Sequence, residues 1–418
     1  MDSLTQITLG AAVGELTLGR KIGNRAMMWG AVAGTIPDLD VLAGFFMKDV
    51  FQVMDELQSL MFHRGPMHSL LFAFLFSIVM ASYTHWLYQS KTYQKKNFKR
   101  LSFGFGLFFV GFAYFLVGQI LLELFGLKTM LIGLVVTISI AAYFFWRLWK
   151  YYLVKPSYDF DVSWAQWYLL FLLGIGTHPM LDCLTLYGTQ IFWPFDHSRI
   201  ALANISVVDP LYTFPFLVCI LTAAFLHRFS RARFSWTLAG VIISSLYMTF
   251  TFYHQARATE ILKATLAEQQ IDYNRTLVTP TIFNNILWSS TVETDSLYYL
   301  GLYSFFDQEK KFQLEPIRPN HNLVEDKEDD HTLKQLKFFS NDYYGMMKRE
   351  DGRLQLNDLR YGTFKGDGSD PTDYIFHFVL DENENGDLIL GKTEAGPQDR
   401  EGENMAKDLW NRMLGNVD

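Results

Sequence analysis

The chain has 418 residues, half of them hydrophobic, 16% aromatic and 19% charged, with two cysteines and a net charge of −7. That mixture excludes a disordered chain and a disulfide scaffold, and the length accommodates two or three ordinary domains. The net charge conceals a division: residues 1–255 hold 18 Lys+Arg and 13 Asp+Glu, a balance of +5, whereas residues 256–418 hold 18 and 30, a balance of −12.

In chain order, apolar runs occupy 67–88, 102–125, 129–149, 165–186, 210–226 and 235–254, with weaker ones at 3–18 and 26–46. Most approach the ~20 residues needed to cross a bilayer, and the remainder of the chain has none. The pattern predicts a polytopic α-helical membrane domain over 1–255, with about six to eight transmembrane helices. A soluble, acidic α+β domain, mainly antiparallel β, is expected over 256–418. Asp2 stands where a secretory signal would be basic, and Glu15 interrupts the first run, so this segment is expected to remain in the mature protein.

With eight crossings, the loops at 19–25, 91–100, 147–155 and 227–233 share one side and carry 14 Lys+Arg. The opposite loops carry Lys48, Arg64, Lys128 and Arg199. The positive-inside bias places the first set in the cytoplasm, and the other loops and the C-terminal domain outside. Phe192, Trp193 and Phe195 follow the outer end of the 165–186 run, where an interfacial aromatic belt belongs.

On this map the unusual polar residues share one membrane face. Asp38 and Asp40 (IPDLD), His63, Arg64 and His68 (HRGPMHS), His178 and Asp182 (GTHPMLD) and Asp209 (VVDPLYT) all lie towards the outside. Ionisable groups at membrane depth are costly, which makes each cluster a functional candidate. His178 and Asp182 are i and i+4, one face of a helix, although Pro179 favours a helix start for residue 178. His63 and His68 flank the Gly65-Pro66 turn, which can bring two imidazoles together. Asp38 and Asp40 follow Pro37 and suit two metals, or one metal and one supporting role. Taken singly, Asp38 or Asp209 reads as a helix cap and His178 as an interhelical hydrogen-bonding residue. Their shared depth favours a metal or catalytic site.

These same stretches, with MDSLTQITLGAAVGE and GNRAMMWGAVAGT, resemble the YdjM-like family of bacterial inner-membrane proteins, predicted to be metal-dependent hydrolases. That family is in turn distantly similar to the superfamily of zinc-dependent phospholipase C and S1/P1 nucleases, in which His178 and Asp182 match an HxxxD pair. The resemblance implies Asp38, Asp40, His63, His68, His178 and Asp182 as metal-site residues, with Asp209 near them. Many relatives carry a histidine where this chain has Gln6, which implies one or two zinc ions rather than three.

Zinc bound by imidazole and carboxylate acidifies water, and Asp38 or Asp40 is the candidate to orient it or accept its proton. Arg64 is the candidate to pair with a substrate phosphate oxygen. A site at the outer face suits a membrane lipid or lipid-linked phosphoester, such as a phospholipid or polyprenyl phosphate headgroup. The competing reading is a non-enzymatic metal-binding scaffold or transporter; polar residues confined to one leaflet favour the enzyme.

In the acidic part, an amphipathic helical stretch (about 255–272) precedes alternating runs at 281–305, 353–364 and 373–380, which read as strands. DENENGDLILGK (381–392) resembles a calcium loop but ends on Lys392, so a β-turn is the better reading. The run EDKEDD (325–330) reads as a solvated loop. There is no P-loop, GxGxxG, GxSxG or Cys-based zinc pattern, no basic patch suggests nucleic acid, and Cys183 and Cys219 suggest no disulfide.

Overall fold

In the computed structural model the chain opens with a helical hairpin. Helix α1 (Ser3–Ile22) starts at Asp2, whose carboxylate accepts the Thr5 amide hydrogen at 3.0 Å, and it stops at Gly23, where φ is +64°. Helix α2 (Asn24–Thr35) returns directly. The two backbones touch through Gly10, Gly14, Gly30 and Gly34: a Cβ on Gly14 would meet the Ala26 carbonyl oxygen at 2.0 Å, and one on Gly10 the Gly30 oxygen at 2.2 Å. Small residues four apart allow this approach, as at interfaces between membrane helices.

The structure describes residues 1–107, 159–363, 373–391 and 402–415, with scattered positions between 133 and 154 and between 368 and 371. They form two units, Met1–Ser77 with Leu169–Asp418, and Ile78–Tyr168. In the second, Tyr88 packs against Tyr93 and Trp167 with ring centroids 4.6 and 4.9 Å apart.

Helix α3 (Leu39–Phe45) follows α2 across a 47° bend around Pro37. Helix α4 (Glu56–Phe62) has a capping box made by Asp55 and Gln58. Then come α5 (Leu70–Gln89), α6 (Trp164–Asp182), α7 (Pro210–Phe225) and the 38-residue α8 (Arg231–Glu268). Glu15 of α1 and Arg233 of α8 form a buried bidentate ion pair, at 2.6 and 2.5 Å, and Arg233 also donates to the Asn24 side chain. Glu15 thus holds helices together.

Among the described residues, α5 and α8 are long and apolar enough to cross a membrane, with a third if α2 and the stretch Leu39–Val50 form one bent span. This is fewer than the six to eight expected. Polar residues interrupt α1 (Gln6, Glu15, Arg20, Lys21) and the end of α6 (His178, Pro179, Asp182), and α7 has only 16 residues. The runs 102–125 and 129–149 lie mostly outside the described residues. Helix α5 turns Phe74, Leu75, Val79 and Trp86 outward, each more than half exposed, a surface suited to lipid rather than water.

Helix α8 runs without a break through residue 255 into the sheet region. Strands β1 (Arg275–Pro280), β2 (Leu287–Glu293), β3 (Tyr298–Ser304) and β4 (Gln313–Ile317) form one antiparallel sheet in that order. Its Trp288 and Tyr303 bury against Leu262 and Leu266 of α8. Helix α9 (His331–Phe339), capped by Asp330 at the end of the largely exposed acidic run, precedes a second antiparallel sheet. This comprises β5 (Tyr344–Lys348), β6 (Leu354–Asp358), β7 (His377–Glu382) and β8 (Leu388–Leu390). Leu57 of α4 joins its core beside Leu333, Leu336 and Leu356. The Asn383 side chain accepts the Asn385 and Asp387 amide hydrogens to close the β7–β8 turn, in keeping with the turn reading; Lys392 lies outside the described residues.

Candidate metal centre

Three chain breaks meet at the ends of α2, α5 and α6. The bend after α2 carries Asp38 and, in the first turn of α3, Asp40. A tight turn before α5, with Arg64 at φ +57° and Pro66–His68 in a single 3-10 turn, carries His63, Arg64 and His68. The end of α6 carries His178 and Asp182. Pro179 lies inside α6, so residue 178 is in the last turns of a helix and not at a helix start. The i, i+4 spacing is therefore realised, and both side chains reach the same point.

The donor atoms have the spacing of a coordination shell. His68 Nε2 and His178 Nε2 are 3.1 Å apart. Asp38 Oδ1 lies 3.6 and 3.3 Å from them, and Asp182 Oδ2 lies 3.3 and 3.5 Å from them. Tetrahedral ligands at the ~2.0–2.1 Å typical of zinc–nitrogen and zinc–oxygen bonds stand about 3.4 Å from one another. His68, His178 and Asp182 are 0–1% exposed at the side chain and Asp38 is 26% exposed, so the set opens towards Asp38.

The outer contacts leave those donor atoms free. The Nδ1 of His178 donates to the Gly34 carbonyl at 2.6 Å, which leaves Nε2 as the bare nitrogen of a neutral ring. The Nδ1 of His68 faces the Asp40 carboxylate at 3.1 Å. Asp182 Oδ2 is buried without a hydrogen-bond donor, whereas its Oδ1 accepts from the Gln6 amide at 3.1 Å and from the amino group of Met1. Two facing imidazole nitrogens and a buried carboxylate oxygen that accepts no hydrogen bond fit a cation, and the carboxylate–imidazole contact is the usual support of a metal-bound histidine.

The remaining candidates take other places. Asp40 accepts the Arg64 amide hydrogen at 2.9 Å and meets His63 Nδ1 at 3.1 Å as well as His68, so it supports the histidines. His63 is not part of the donor set: its Nδ1 meets Asp40, and 31% of its side chain is exposed. Arg64 is buried, donates to Thr185 Oγ1 at 2.8 Å, and lies 3.4 Å from Asp182 Oδ2. Asp209 is apart: it caps α7 through the Leu211 and Tyr212 amides and accepts from the Tyr247 hydroxyl at 2.9 Å. The sequence reading passed over Tyr187, whose ring lies 5.4 Å from that of His63, and treated Arg199 only as a loop charge. Burial raises the Tyr187 hydroxyl above its ordinary pKa and keeps it a neutral donor. Tyr187 lies five residues beyond Asp182, and nothing in the spacing marks Arg199.

A family model described as YdjM inner membrane protein matches residues 1–125 and 130–258. The chain is similar to the uncharacterized protein YfhP of Bacillus subtilis (strain 168), with 27% identity over 170 residues. The aligned part is 40% of this chain and 48% of that protein, so the chain spans about half the length of this curated relative. No solved structure matches the chain.

Proposed function

The chain belongs to the YdjM inner membrane protein family, and from that premise and the geometry of the metal centre we propose that it is a membrane-bound, metal-dependent hydrolase. Its substrate on this reading is a lipid or lipid-linked phosphoester at the outer membrane face. The observation that carries the proposal is the pair of facing imidazole nitrogens of His68 and His178, 3.1 Å apart, with Asp38 and Asp182 carboxylates beside them. His68, His178, Asp38 and Asp182 would hold a zinc or similar divalent ion. When bound, such an ion supplies Lewis acidity, polarising a phosphoryl oxygen and acidifying water.

The protein's own groups do the rest. Asp40 and the Gly34 carbonyl orient the two imidazoles. Asp38, the exposed member of the set, lies where substrate and water enter and is placed to accept a proton. Arg64 brings a fixed positive charge for a phosphoryl oxygen, and burial strengthens that attraction. The multi-pass arrangement belongs to the same proposal, with 102–125 and 129–149 as further crossings, residues 1–255 in the membrane and the acidic domain outside. It is supported by the positive-inside bias and by Phe192 and Phe195, which are 50% and 84% exposed.

A second reading rests on one observation: the ligand atoms of Asp38, His68 and His178 lie together and the Asp182 carboxylate stands beside both imidazoles, so protein groups could fill the whole shell, as in metal sites that only hold a structure together. Metal analysis of detergent-purified protein with a general phosphodiester assay, bis(p-nitrophenyl) phosphate, separates the two. The hydrolase reading expects about one zinc per chain, hydrolysis, and loss of both in His68→Ala and His178→Ala. Zinc without hydrolysis supports the structural site. Absence of metal from metal-replete wild type overturns both.

A further inference from the structure

Next to the metal donors, three guanidinium groups gather on one aromatic cluster. The Arg64 and Arg199 Cζ atoms lie 4.9 and 5.0 Å from the centroid of the Tyr187 ring. Arg199 also lies 5.3 Å, and Arg360 5.4 Å, from the centroid of the Phe339 ring. The charges are unevenly met. Asp358 neutralises Arg360 through two contacts of 2.9 and 2.6 Å. Arg64 has only Asp182, at 3.4 Å, and Asp182 already serves the Met1 amino group, Gln6 and the two histidines. Arg199 has no carboxylate partner among the described residues: its Nη2 donates to the carbonyls of Met61 and His63 at 3.3 and 3.1 Å.

These donors converge. Arg64, 6% exposed, has a buried Nε that makes no hydrogen bond and stands in the 3.4 Å ion pair with Asp182 Oδ2. Arg199 Nε and Nη1 and the Tyr187 hydroxyl are buried without a well-formed hydrogen bond, and the Arg199 and Tyr187 side chains face each other. Aromatic faces offset part of the cost of desolvating a guanidinium but do not neutralise it or satisfy its N–H groups. A planar fork of incompletely satisfied N–H donors beside a neutral phenol matches the oxygens of a phosphoryl group.

We infer that Arg199, Arg64 and Tyr187 form a phosphoryl-binding subsite adjoining the metal donors. Arg64 belongs to both, touching Asp182 on one side and Tyr187 on the other, so one ligand with two consecutive phosphoryl groups spans them. The substrate class this indicates is a diphosphate. Assigning the diphosphate as the substrate rests on the hydrolase reading above; the anion subsite itself does not.

The test uses the full chain in detergent, stripped of metal by a chelator, titrated with inorganic pyrophosphate in a calorimeter. The metal-free protein binds pyrophosphate, and Arg199→Gln weakens binding at least tenfold while zinc binding, measured separately, is unchanged. Arg199→Lys, which keeps the charge but loses the fork, is intermediate, and Tyr187→Phe weakens binding without disturbing the arginines. Farnesyl diphosphate in the same detergent identifies the natural source: tighter binding than pyrophosphate marks a lipid-linked diphosphate, and equal binding a soluble one. Metal-free wild type that ignores pyrophosphate, or an Arg199→Gln protein that binds it as wild type does, overturns the subsite whether or not zinc and hydrolysis are found.

Discussion

His68 and His178 face each other nitrogen to nitrogen at 3.1 Å, while their other ring nitrogens are turned to Asp40 and to the Gly34 carbonyl. Two lone pairs at that distance repel unless a cation or a shared proton lies between them. The backbone of α2 and the first turn of α3 therefore set the chemistry of side chains more than a hundred positions apart.

Asp40→Asn keeps the shape at the His68 contact and removes its charge. Zinc affinity should fall about 10–100-fold, the usual cost of losing a supporting partner, with the four donors intact. Competition against a fluorescent chelator measures it; an unchanged affinity would detach Asp40 from the centre.

Metal binding requires neutral imidazole. Zinc affinity should therefore fall as pH is lowered, because protons compete with the metal for the two ring nitrogens. Competition against a chelator at a series of pH values is the measurement. An affinity that does not change with pH would rule out histidine ligation.

Gly30→Val places a branched side chain where a bare Cβ already meets the Gly10 carbonyl oxygen at 2.1 Å. Backbone has to move, and such overpacking costs about 1–3 kcal/mol or more. Thermal unfolding in detergent should shift downward, and zinc content should fall too, because α1 carries Gln6 and α2 leads into Asp38. A variant as stable as wild type would disprove the close α1–α2 contact.

Breaking the buried pair from one side leaves an unpaired charge. Glu15→Leu should cost about 3–5 kcal/mol, whereas Glu15→Leu combined with Arg233→Met should recover most of it. Melting temperatures of the single and double variants decide this. If the double is as damaged as the single, the pair is not an isolated unit.

Asp209→Ala removes a helix cap, with an expected loss of about 1 kcal/mol and no change in zinc content. A fall in metal binding at unchanged stability would return Asp209 to the centre.

Much of the centre was legible in the sequence because cost marks it: charged and imidazole groups beside apolar runs stand out, and the 178/182 spacing forecasts a shared face. Which of them point inward was not legible. Asp40 and Asp38 are two residues apart, and only the bend after α2 decides that one joins the donors while the other supports His68 and His63. Asp209 reads alike as cap or ligand until the position of α7 is known. Arg199 was invisible as a site residue because a basic residue in a loop already had an explanation in topology. Strands β2, β3, β6 and β7 emerged from alternation, whereas β1, β4 and β5 lie outside the alternating runs. The number of crossings did not emerge, since the residues that build the centre also lower the hydropathy of the helices bearing them.

Helix α8 makes the attachment of the sheets a matter of phase. Its 38 residues, at 1.5 Å each, run about 57 Å, well beyond the ~30 Å of a hydrocarbon core, with no joint at the membrane surface. One residue inserted near 255 would swing the following chain by about 100° and carry Phe339 and Arg360 out of line with Tyr187; seven would return it nearly to the starting angle, about 10.5 Å or nearly two pitches farther out. The register of this helix, together with the seat of Leu57 in the core of the second sheet, thus keeps the two halves of the arginine cluster facing each other.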